Sequence, residues 1–179
     1  CGWQRQPSFP SIQQTLEETF ESITQHKTIV VAAGRTDSGV HSVGQVAHVD
    51  TLTWLPDSIL KRALNSKLPS DIAIKDLETA PPNFHAQKDA LSKVYIYKIL
   101  NSPLGSPLFR HQSWWISRPL NIEKMNVAAA MLLGEHDFKS FQNRGTPVLS
   151  TRRRMIRSTF KKEDPFLIYE IEGNGFLKQ

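Results

Sequence analysis

Cysteine is almost absent from the sequence, and so are long apolar runs. The one cysteine, Cys1, excludes an internal disulfide and fits a reducing cytoplasm. No stretch approaches the roughly 18 apolar residues of a membrane span, and the polar opening residues lack the apolar core of a secretory signal peptide. With 39% hydrophobic and 22% charged residues, the composition is that of a globular protein. We therefore predict a cytoplasmic protein that contacts no membrane and folds without a metal or a disulfide.

Acidic residues are missing from one long segment. The chain has a formal net charge of +5, and residues 139–162 contain eight Lys or Arg but no Asp or Glu. Such a run is often a solvated loop. A basic run is also expected in proteins that bind nucleic acid, because Lys and Arg side chains replace the counterions of the phosphates. The charge alone leaves both interpretations open: a merely basic protein, or one with an anionic partner such as nucleic acid or an acidic membrane surface.

Apolar residues at helical spacing predict three helices. The first begins after Ser11, whose hydroxyl can cap it, with Gln14 as the capping-box partner. Asn121 is suited to cap the third helix and Gly134 to close it. The predicted helices cover residues 12–23, 56–68 and 122–133.

Alternating or β-branched apolar runs predict the strands. They cover residues 28–33, 45–50, 71–77, 93–100, 111–117, 157–162 and 166–172. A segment with Pro and Gly, residues 101–110, indicates a boundary between an N-terminal subdomain, residues 1–102, and a C-terminal one, residues 103–179. Because strands outnumber helices, we predict an α+β (mixed α/β) fold with the helices packed on one face of the sheet.

Residues 33–41, Ala-Gly-Arg-Thr-Asp-Ser-Gly-Val-His, lie between two predicted strands, where a rigid scaffold often holds functional side chains. Two glycines allow close approach of a ligand, and a cation, a hydroxyl and an acid stand between them. The segment lacks the Gly-Lys-Ser/Thr of a P-loop and the third glycine of a dinucleotide fingerprint. The histidines of the chain lack metal-ligand spacing, so no metal site is predicted. From the residues alone, this is a turn in which Asp37 bonds its own backbone.

The same residues resemble the signature of the tRNA pseudouridine synthase A family. The resemblance covers residues 34–41 together with Gly44, Gln45 and Val46. Further blocks follow the family's order along essentially the whole chain. They are residues 2–7, 64–72, 84–86 with 93–97, 134–141 and 173–177. Several ordered blocks are far more specific than one short motif.

The resemblance implies an isomerase that converts uridine to pseudouridine at positions 38 to 40 of tRNA, in the anticodon stem-loop. It further implies the pseudouridine synthase fold, an antiparallel-rich sheet in two similar halves, and a homodimer that spreads one tRNA over both subunits. No cofactor is expected. Asp37 matches the catalytic carboxylate. It can attack the sugar as a nucleophile, stabilise a cationic sugar-like transition state, or take a sugar proton, and the sequence leaves these routes open.

Substrate-binding candidates follow from the same resemblance. Arg35 matches the residue that fills or holds the helix when the target base leaves the stack; the alternative is a salt bridge to Asp37 or a neighbour. Thr36 and His41 belong to the same motif. His85 is a further RNA-contact candidate, and it fits a hydrogen-bonded structural histidine equally well.

Tyr95 matches the family's base-stacking tyrosine, and such stacking contributes about 1–3 kcal/mol per base. Tyr97 lies on the same face of the predicted strand and remains an alternative. Trp114 and Trp115 are expected to be core or interface residues rather than base platforms. The candidates for contact with the RNA backbone are Arg5, Lys139, Arg144, Arg152, Arg153 and Arg154.

The sequence departs from the family pattern at three places. Gln87 stands where the family has an arginine. The strand that precedes Gly2, and the Met-Val-Arg-Asn segment that supplies a basic partner for the catalytic acid, lie outside the sequence. We therefore expect a chain shortened at both ends, with uncertain activity. Two alternatives follow: a tRNA-binding module of the same fold without catalysis, or an unrelated basic α+β domain in which Asp37 is buried and hydrogen-bonded.

Overall fold

The computed structural model describes residues 2–143, 145 and 148–177, and these contain three α-helices and seven β-strands. The helices are α1 (Ile12–Thr24), α2 (Asp57–Lys67) and α3 (Ile122–Ala130). The strands are β1 (Val30–Ala32), β2 (Ala47–Val49), β3 (Lys93–Asn101), β4 (Trp114–Ile116), β5 (Gly134–Asp137), β6 (Arg152–Glu163) and β7 (Phe166–Gly173). The predicted α+β class with mostly antiparallel pairing is confirmed. Among the described helices, none has both the length and the apolar character of a membrane span.

The chain divides into two compact units between Ala90 and Leu91. The first holds α1, α2 and the antiparallel pair β1–β2, whereas the second holds α3 and a five-stranded sheet in the order β4-β3-β7-β6-β5. The units therefore differ in their described elements. The sequence predicts a boundary after residue 102, which leaves β3 in the first subdomain. In the structure β3 belongs to the second unit, because both of its partners, β4 and β7, follow it in the chain.

Helix α1 begins where the sequence predicts. The Ser11 hydroxyl accepts the Gln14 N–H at 3.3 Å and so caps the first turn. The Gln14 side chain does not complete a capping box, because it donates instead to Glu18 at 2.8 Å. Leu16 and Phe20 form the buried face of the helix.

The core of the first unit joins all of its elements. Its buried members are Trp3, Leu16, Phe20, Val30, Leu60 and Leu64. Leu64 of α2 is fully buried, and Trp3 comes from the segment that precedes α1. The N-terminal segment is thus packed into the core.

Residues 71–77 do not form the predicted strand. Ile72 and Ile74 pack against the core, as the alternation of apolar residues predicts. The backbone of Ile74 is paired with a side chain, however: Asn65 of α2 accepts its N–H at 2.8 Å and donates to its C=O at 2.9 Å. The prediction of a strand here is wrong, because the Asn65 side chain makes the hydrogen bonds to Ile74 that a neighbouring strand would otherwise make.

The sheet of the second unit is built around β3 and β7, which pair antiparallel from Lys93 with Gly173 to Leu100 with Phe166. Strand β6 begins at Arg152 rather than at Arg157 as predicted, because β5 pairs with its first residues. A bulge between Met155 and Arg157 then shifts the register against β7. Three of the predicted RNA-backbone arginines therefore lie on a strand and not in a loop.

Helix α3 is capped by Asn121 as predicted: the Asn121 side chain accepts the Lys124 N–H at 2.8 Å. It ends at Ala130, before the predicted residue 133. The N–H groups of residues 131–133 bond to carbonyls three residues back, as in a 3-10 helix, and not four residues back, as in an α-helix. Gly134 begins β5. Asn126 holds α3 on the sheet: it accepts the Phe160 N–H at 2.7 Å and donates to the Phe160 C=O at 3.0 Å.

Candidate active site and RNA-binding residues

Asp37 lies in the loop that connects β1 to β2. Its carbonyl accepts the Val40 N–H at 3.2 Å, which closes a tight turn over residues 37–40. Gly39, the third residue of this turn, has φ +80°, a value that side chains disfavour and that type II turns require. The turn therefore needs a glycine at this place.

Two hydrogen bonds close the base of this loop. Ala33 donates its N–H to the Val46 carbonyl at 2.8 Å, next to the paired residues of β1 and β2. The side-chain amide of Gln45 donates to the Gly34 carbonyl at 2.6 Å. The ends of the loop are thus fixed by the strand pair and by Gln45.

The carboxylate of Asp37 is exposed, and within the part of the chain that the structure describes it makes no hydrogen bond or ion pair. Several other aspartates of this protein behave differently. Backbone N–H groups are bound by the carboxylates of Asp57, Asp76, Asp89 and Asp137. The interpretation from the residues alone, an acid that bonds its own backbone, does not hold for Asp37. Its carboxylate is open to a ligand.

The other residues of the motif surround Asp37 on the same loop. Arg35 and His41 are exposed and Thr36 is half-buried. Between the described residues there is no salt bridge from Arg35 to Asp37, the alternative that the sequence leaves open. The Thr36 carbonyl accepts the Trp3 N–H at 3.0 Å. The first unit thus brings four of the predicted site residues together on one loop.

Arg5, a predicted RNA-backbone contact, has a partner inside the protein. It forms an ion pair at 2.9 Å with Glu17, whose side chain is 9% exposed. The other oxygen of Glu17 accepts the Val30 N–H and the Gln13 amide, each at 3.1 Å. Gln13 in turn accepts the Arg5 N–H at 3.0 Å and donates to the Val30 carbonyl at 3.1 Å. This network, which the sequence analysis missed, ties the N-terminal segment and α1 to β1.

His85 is held by local hydrogen bonds. Its ring Nδ1 accepts the backbone N–H groups of Gln87 and Lys88 at 3.3 and 3.4 Å. The backbone N–H of His85 donates to the Asp89 carboxylate at 2.7 Å. Its ring lies 4.8 Å from that of His48, centroid to centroid. These bonds fit the structural alternative for His85, and contact with RNA stays a prediction.

Tyr95 lies on β3 in the second unit and is half-buried. Its ring meets Phe176 edge to face, with the centroids 4.8 Å apart. Tyr97 is more open, 60% exposed, and lies 6.3 Å from the ring of Tyr169. Lys93 lies on the same face of the strand, where burial lowers the pKa of its ammonium.

The three arginines at the start of β6 differ in their partners. Arg152 forms an exposed ion pair with Glu135 at 2.9 Å. The Arg153 guanidinium donates to the Ser150 carbonyl at 2.8 Å, which leaves its charge uncompensated. Arg154 is exposed, and no carboxylate of the described residues pairs with it or with Arg153.

Lys139 opens a short 3-10 helix, Lys139–Phe141. The backbone N–H of Lys139 donates to the Asp137 Oδ1 at 3.0 Å, and the Thr151 hydroxyl donates to the same oxygen at 2.6 Å. The Thr151 hydroxyl and then this N–H lower the pKa of Asp137, which keeps the carboxylate charged. Arg144, the remaining RNA-backbone candidate, lies outside the described residues.

Comparison with known proteins shows to which family the chain belongs. The sequence model of the family described as tRNA pseudouridine synthase matches residues 2–87 and 128–179. The chain belongs to the tRNA pseudouridine synthase family. The alternative of an unrelated basic domain is therefore wrong.

Relatives of this tRNA pseudouridine synthase match over nearly all of the chain. The tRNA pseudouridine synthase A of Thermoanaerobacter sp. (strain X514) is 41% identical over 176 residues, which are 98% of this chain and 72% of the relative. That of Geotalea daltonii is 41% identical over 178 residues, 99% of this chain and 73% of the relative. That of Francisella tularensis subsp. novicida is 38% identical over 177 residues, 99% and 69%. The similarity therefore extends through both units.

The basic residues after the bulge of β6 are neutralised within this tRNA pseudouridine synthase. Arg157 forms ion pairs with Glu170 and, at 3.5 Å, with Glu172. Lys162 pairs with Asp164 at 3.2 Å. The sequence shows a single run of cations, but among its described members the charges without a carboxylate partner lie before the bulge.

Trp114 and Trp115, expected in the core or at an interface, are not core residues of the second unit. They are 68% and 50% exposed. The Trp115 indole N–H donates to the Ser102 carbonyl at 2.9 Å, which fixes the ring. Together with Phe109 and Arg110 they line an open groove of about 610 Å³.

Proposed function

We propose that this chain isomerises uridine to pseudouridine in the anticodon stem-loop of tRNA, at positions 38 to 40, with Asp37 as the catalytic carboxylate and no cofactor. One observation carries the proposal: in a tRNA pseudouridine synthase, the acid of residues 34–41 is exposed and engaged by no described group. A carboxylate that the fold itself does not use is available for chemistry on a substrate.

The reaction needs only a carboxylate and a means of holding the base. The N1–C1′ bond of uridine breaks and a C5–C1′ bond forms, while the proton lost from C5 is balanced by the one that N1 gains. No oxidant or reductant is required, in keeping with the proposal of no cofactor. An ionised Asp37 can add to C1′ or stabilise the positive charge that develops on the sugar. Removal of a sugar proton is the third route open to it.

Arg35 is proposed to occupy the space that the extruded nucleotide leaves. Extrusion costs a few kcal/mol, and a planar guanidinium can recover part of this by stacking and by contact with phosphate. The exposure of Arg35 and the absence of a salt bridge to Asp37 among the described residues support this role. Thr36 and His41, on the same loop, are proposed to contact the substrate.

Tyr95 is proposed to stack on the uracil. Replacing Tyr95 by alanine is expected to lower kcat/KM for tRNA roughly 10- to 100-fold, since base stacking contributes about 1–3 kcal/mol. Steady-state kinetics with unmodified tRNA measures the change. Tyr97→Ala is the matched control, because Tyr97 lies on the same strand and is more exposed. A larger loss in Tyr97→Ala than in Tyr95→Ala would assign the stacking role to Tyr97.

Arg153 and Arg154 are proposed to contact the RNA backbone. Replacing Arg154 by alanine is expected to weaken tRNA binding and to reduce the slope of log Kd against log salt by about one, as for the loss of one phosphate contact. Filter binding over a salt series measures both. Lys162→Ala serves as the control, because its ammonium is paired with Asp164 at 3.2 Å. Equal slopes for Arg154→Ala and the unchanged protein would contradict the assignment.

The chain is further proposed to act in the cytoplasm as a homodimer on one tRNA. Trp114 and Trp115, exposed on edge strand β4, are the kind of residues that interfaces bury. To test the proposed reaction, the purified protein is incubated with unmodified tRNA and pseudouridine is mapped by position. To test the homodimer, the molecular mass of the complex is measured by analytical ultracentrifugation, and a mass of two protein chains with one tRNA is expected. Pseudouridine at positions 38 to 40 supports the proposal. Pseudouridine only elsewhere contradicts the specificity, and tRNA binding without any pseudouridine would favour the non-catalytic module.

A further inference from the structure

The N-terminal residues lie directly against the loop that carries Asp37. Trp3 donates its N–H to the Thr36 carbonyl at 3.0 Å. Gly2 has φ +68°, and a Cβ at this position would lie 2.7 Å from the Thr36 carbonyl oxygen, 2.9 Å from the Asp37 carbonyl carbon and 3.0 Å from the Ser38 nitrogen. All three atoms belong to the backbone, which cannot move aside as a flexible side chain can. Gly2 therefore lies closer to the peptides around Asp37 than any residue with a side chain could.

The segment that makes this contact is itself firmly held. Trp3 is 5% exposed and packs in the core of the first unit. The carbonyls of Gly2 and Trp3 accept the N–H groups of Ile12 and Gln13 at 3.1 and 3.0 Å. These are donors of the first turn of α1, which have no partner within the helix. The core and α1 thus fix the residues that press on the Asp37 loop.

We propose that Gly2 is a positioning residue for Asp37. The absence of a side chain allows the anchored N-terminal segment to lie against residues 36–38, and this contact sets the place of the Asp37 peptide. The inference rests on the proposed role of Asp37 as the catalytic acid. It gives a purpose to Gly2 in the motif of residues 2–7, which the chemistry of the site leaves unexplained. A reacting group must be held to within a fraction of an ångström, and a displacement of 1 Å can lower a rate about 100-fold.

The test is the substitution Gly2→Ala, assayed in the full-length protein. Its Cβ must push residues 36–38 away, so we expect the single-turnover rate of pseudouridine formation to fall roughly 100-fold. The Kd for tRNA should change less than threefold, because the arginines proposed to contact the RNA backbone, Arg153 and Arg154, belong to the second unit and are unaltered. Gly134→Ala is the matched control: Gly134 has φ +90°, and the nearest atom to its Cβ would be the His136 Nε2 at 4.0 Å. It carries the same kind of backbone cost without the collision, and its rate should stay within threefold of the unchanged protein.

The outcomes separate a positioning role from a merely structural one. A slow single turnover with an unchanged Kd, seen in Gly2→Ala but not in Gly134→Ala, supports the inference. A rate within threefold of the unchanged protein in a folded Gly2→Ala variant overturns it. Should Gly2→Ala not fold, hydrogen exchange in the unchanged protein provides the test. The Trp3 amide must then be protected to the level of the core, and fast exchange at Trp3 overturns the inference.

The same experiments distinguish this inference from the proposed function. If Asp37→Asn is inactive and Gly2→Ala is fully active, only the positioning role of Gly2 is wrong. If Asp37→Asn retains activity, the proposed function itself fails, whatever Gly2→Ala shows. Both variants are measured with the same tRNA and the same rate assay.

Discussion

Replacing Asp37 by asparagine is expected to abolish pseudouridine formation while tRNA binding persists. Asparagine keeps the size of the side chain but has no ionised oxygen to attack or stabilise the sugar. Loss of such a group lowers rates about 10⁴-fold or more in enzymes where a single residue carries the chemistry. Because the carboxylate is exposed and the described residues make no bond to it, its removal should leave the fold intact. The measurement is the rate of pseudouridine formation beside the Kd for tRNA.

Asp76→Asn is the control for this prediction. Asp76 is another exposed aspartate of the first unit, and its carboxylate is engaged by the Leu77 N–H and by Lys61. That N–H first, and then Lys61, lower its pKa, so it carries a charge as Asp37 is proposed to do. Asp76→Asn should keep its activity. Equal losses of binding and activity in Asp37→Asn would instead indicate damage to the fold and would contradict the catalytic role.

Replacing Glu17 by alanine is expected to lower the free energy of unfolding by about 2–4 kcal/mol. The buried carboxylate satisfies the Val30 N–H and pairs with Arg5, and a buried donor left unpaired costs about 1–3 kcal/mol. Removing one member of a buried ion pair costs about 3–5 kcal/mol, although Arg5 is 53% exposed and regains part of this from water. Urea denaturation followed by circular dichroism measures the loss.

Glu18→Ala is the neighbouring control. Glu18 is exposed, and among the described residues it accepts one hydrogen bond, from Gln14, so its loss should change stability by less than about 0.5 kcal/mol. Similar stabilities for Glu17→Ala and Glu18→Ala would show that the network around Gln13 adds nothing to the fold. Since β1 leads into the Asp37 loop, a destabilised Glu17→Ala should also lose activity on warming before the unchanged protein does.

Local signals predicted what depends on neighbours in sequence. Ser11 and Asn121 cap their helices because a cap needs only the next three residues. The apolar alternation of residues 71–77 predicts a strand, because it does not reveal that Asn65, in a preceding helix, hydrogen-bonds the backbone of Ile74. The partners of Arg157 could not be predicted either, since they depend on the register between β6 and β7.

The candidate site shows the same division. Only the resemblance distinguishes Asp37 in the sequence, since no periodicity separates a catalytic acid from a turn residue. The exposure of its carboxylate depends on the fold. Glu17 was missed although a signal was present: Gln13 and Glu17 share the helix face of Phe20, and a charge on an apolar face needs a buried partner. The contact of Gly2 with residues 36–38 joins parts of the chain that no sequence pattern connects.

The ion pairs along β6 leave the positive charge of this strand unevenly distributed between its two ends. The strand has twelve residues and spans about 40 Å, several times the Debye length of about 8 Å at physiological salt. Arg153 and Arg154 stand uncompensated near one end, whereas Arg157 and Lys162 are cancelled by carboxylates towards the other. If Arg153 and Arg154 contact RNA as proposed, this uneven charge would turn an approaching polyanion towards the N-terminal end of β6 as well as attract it. The pairing of surface charges can thus decide how an RNA arrives.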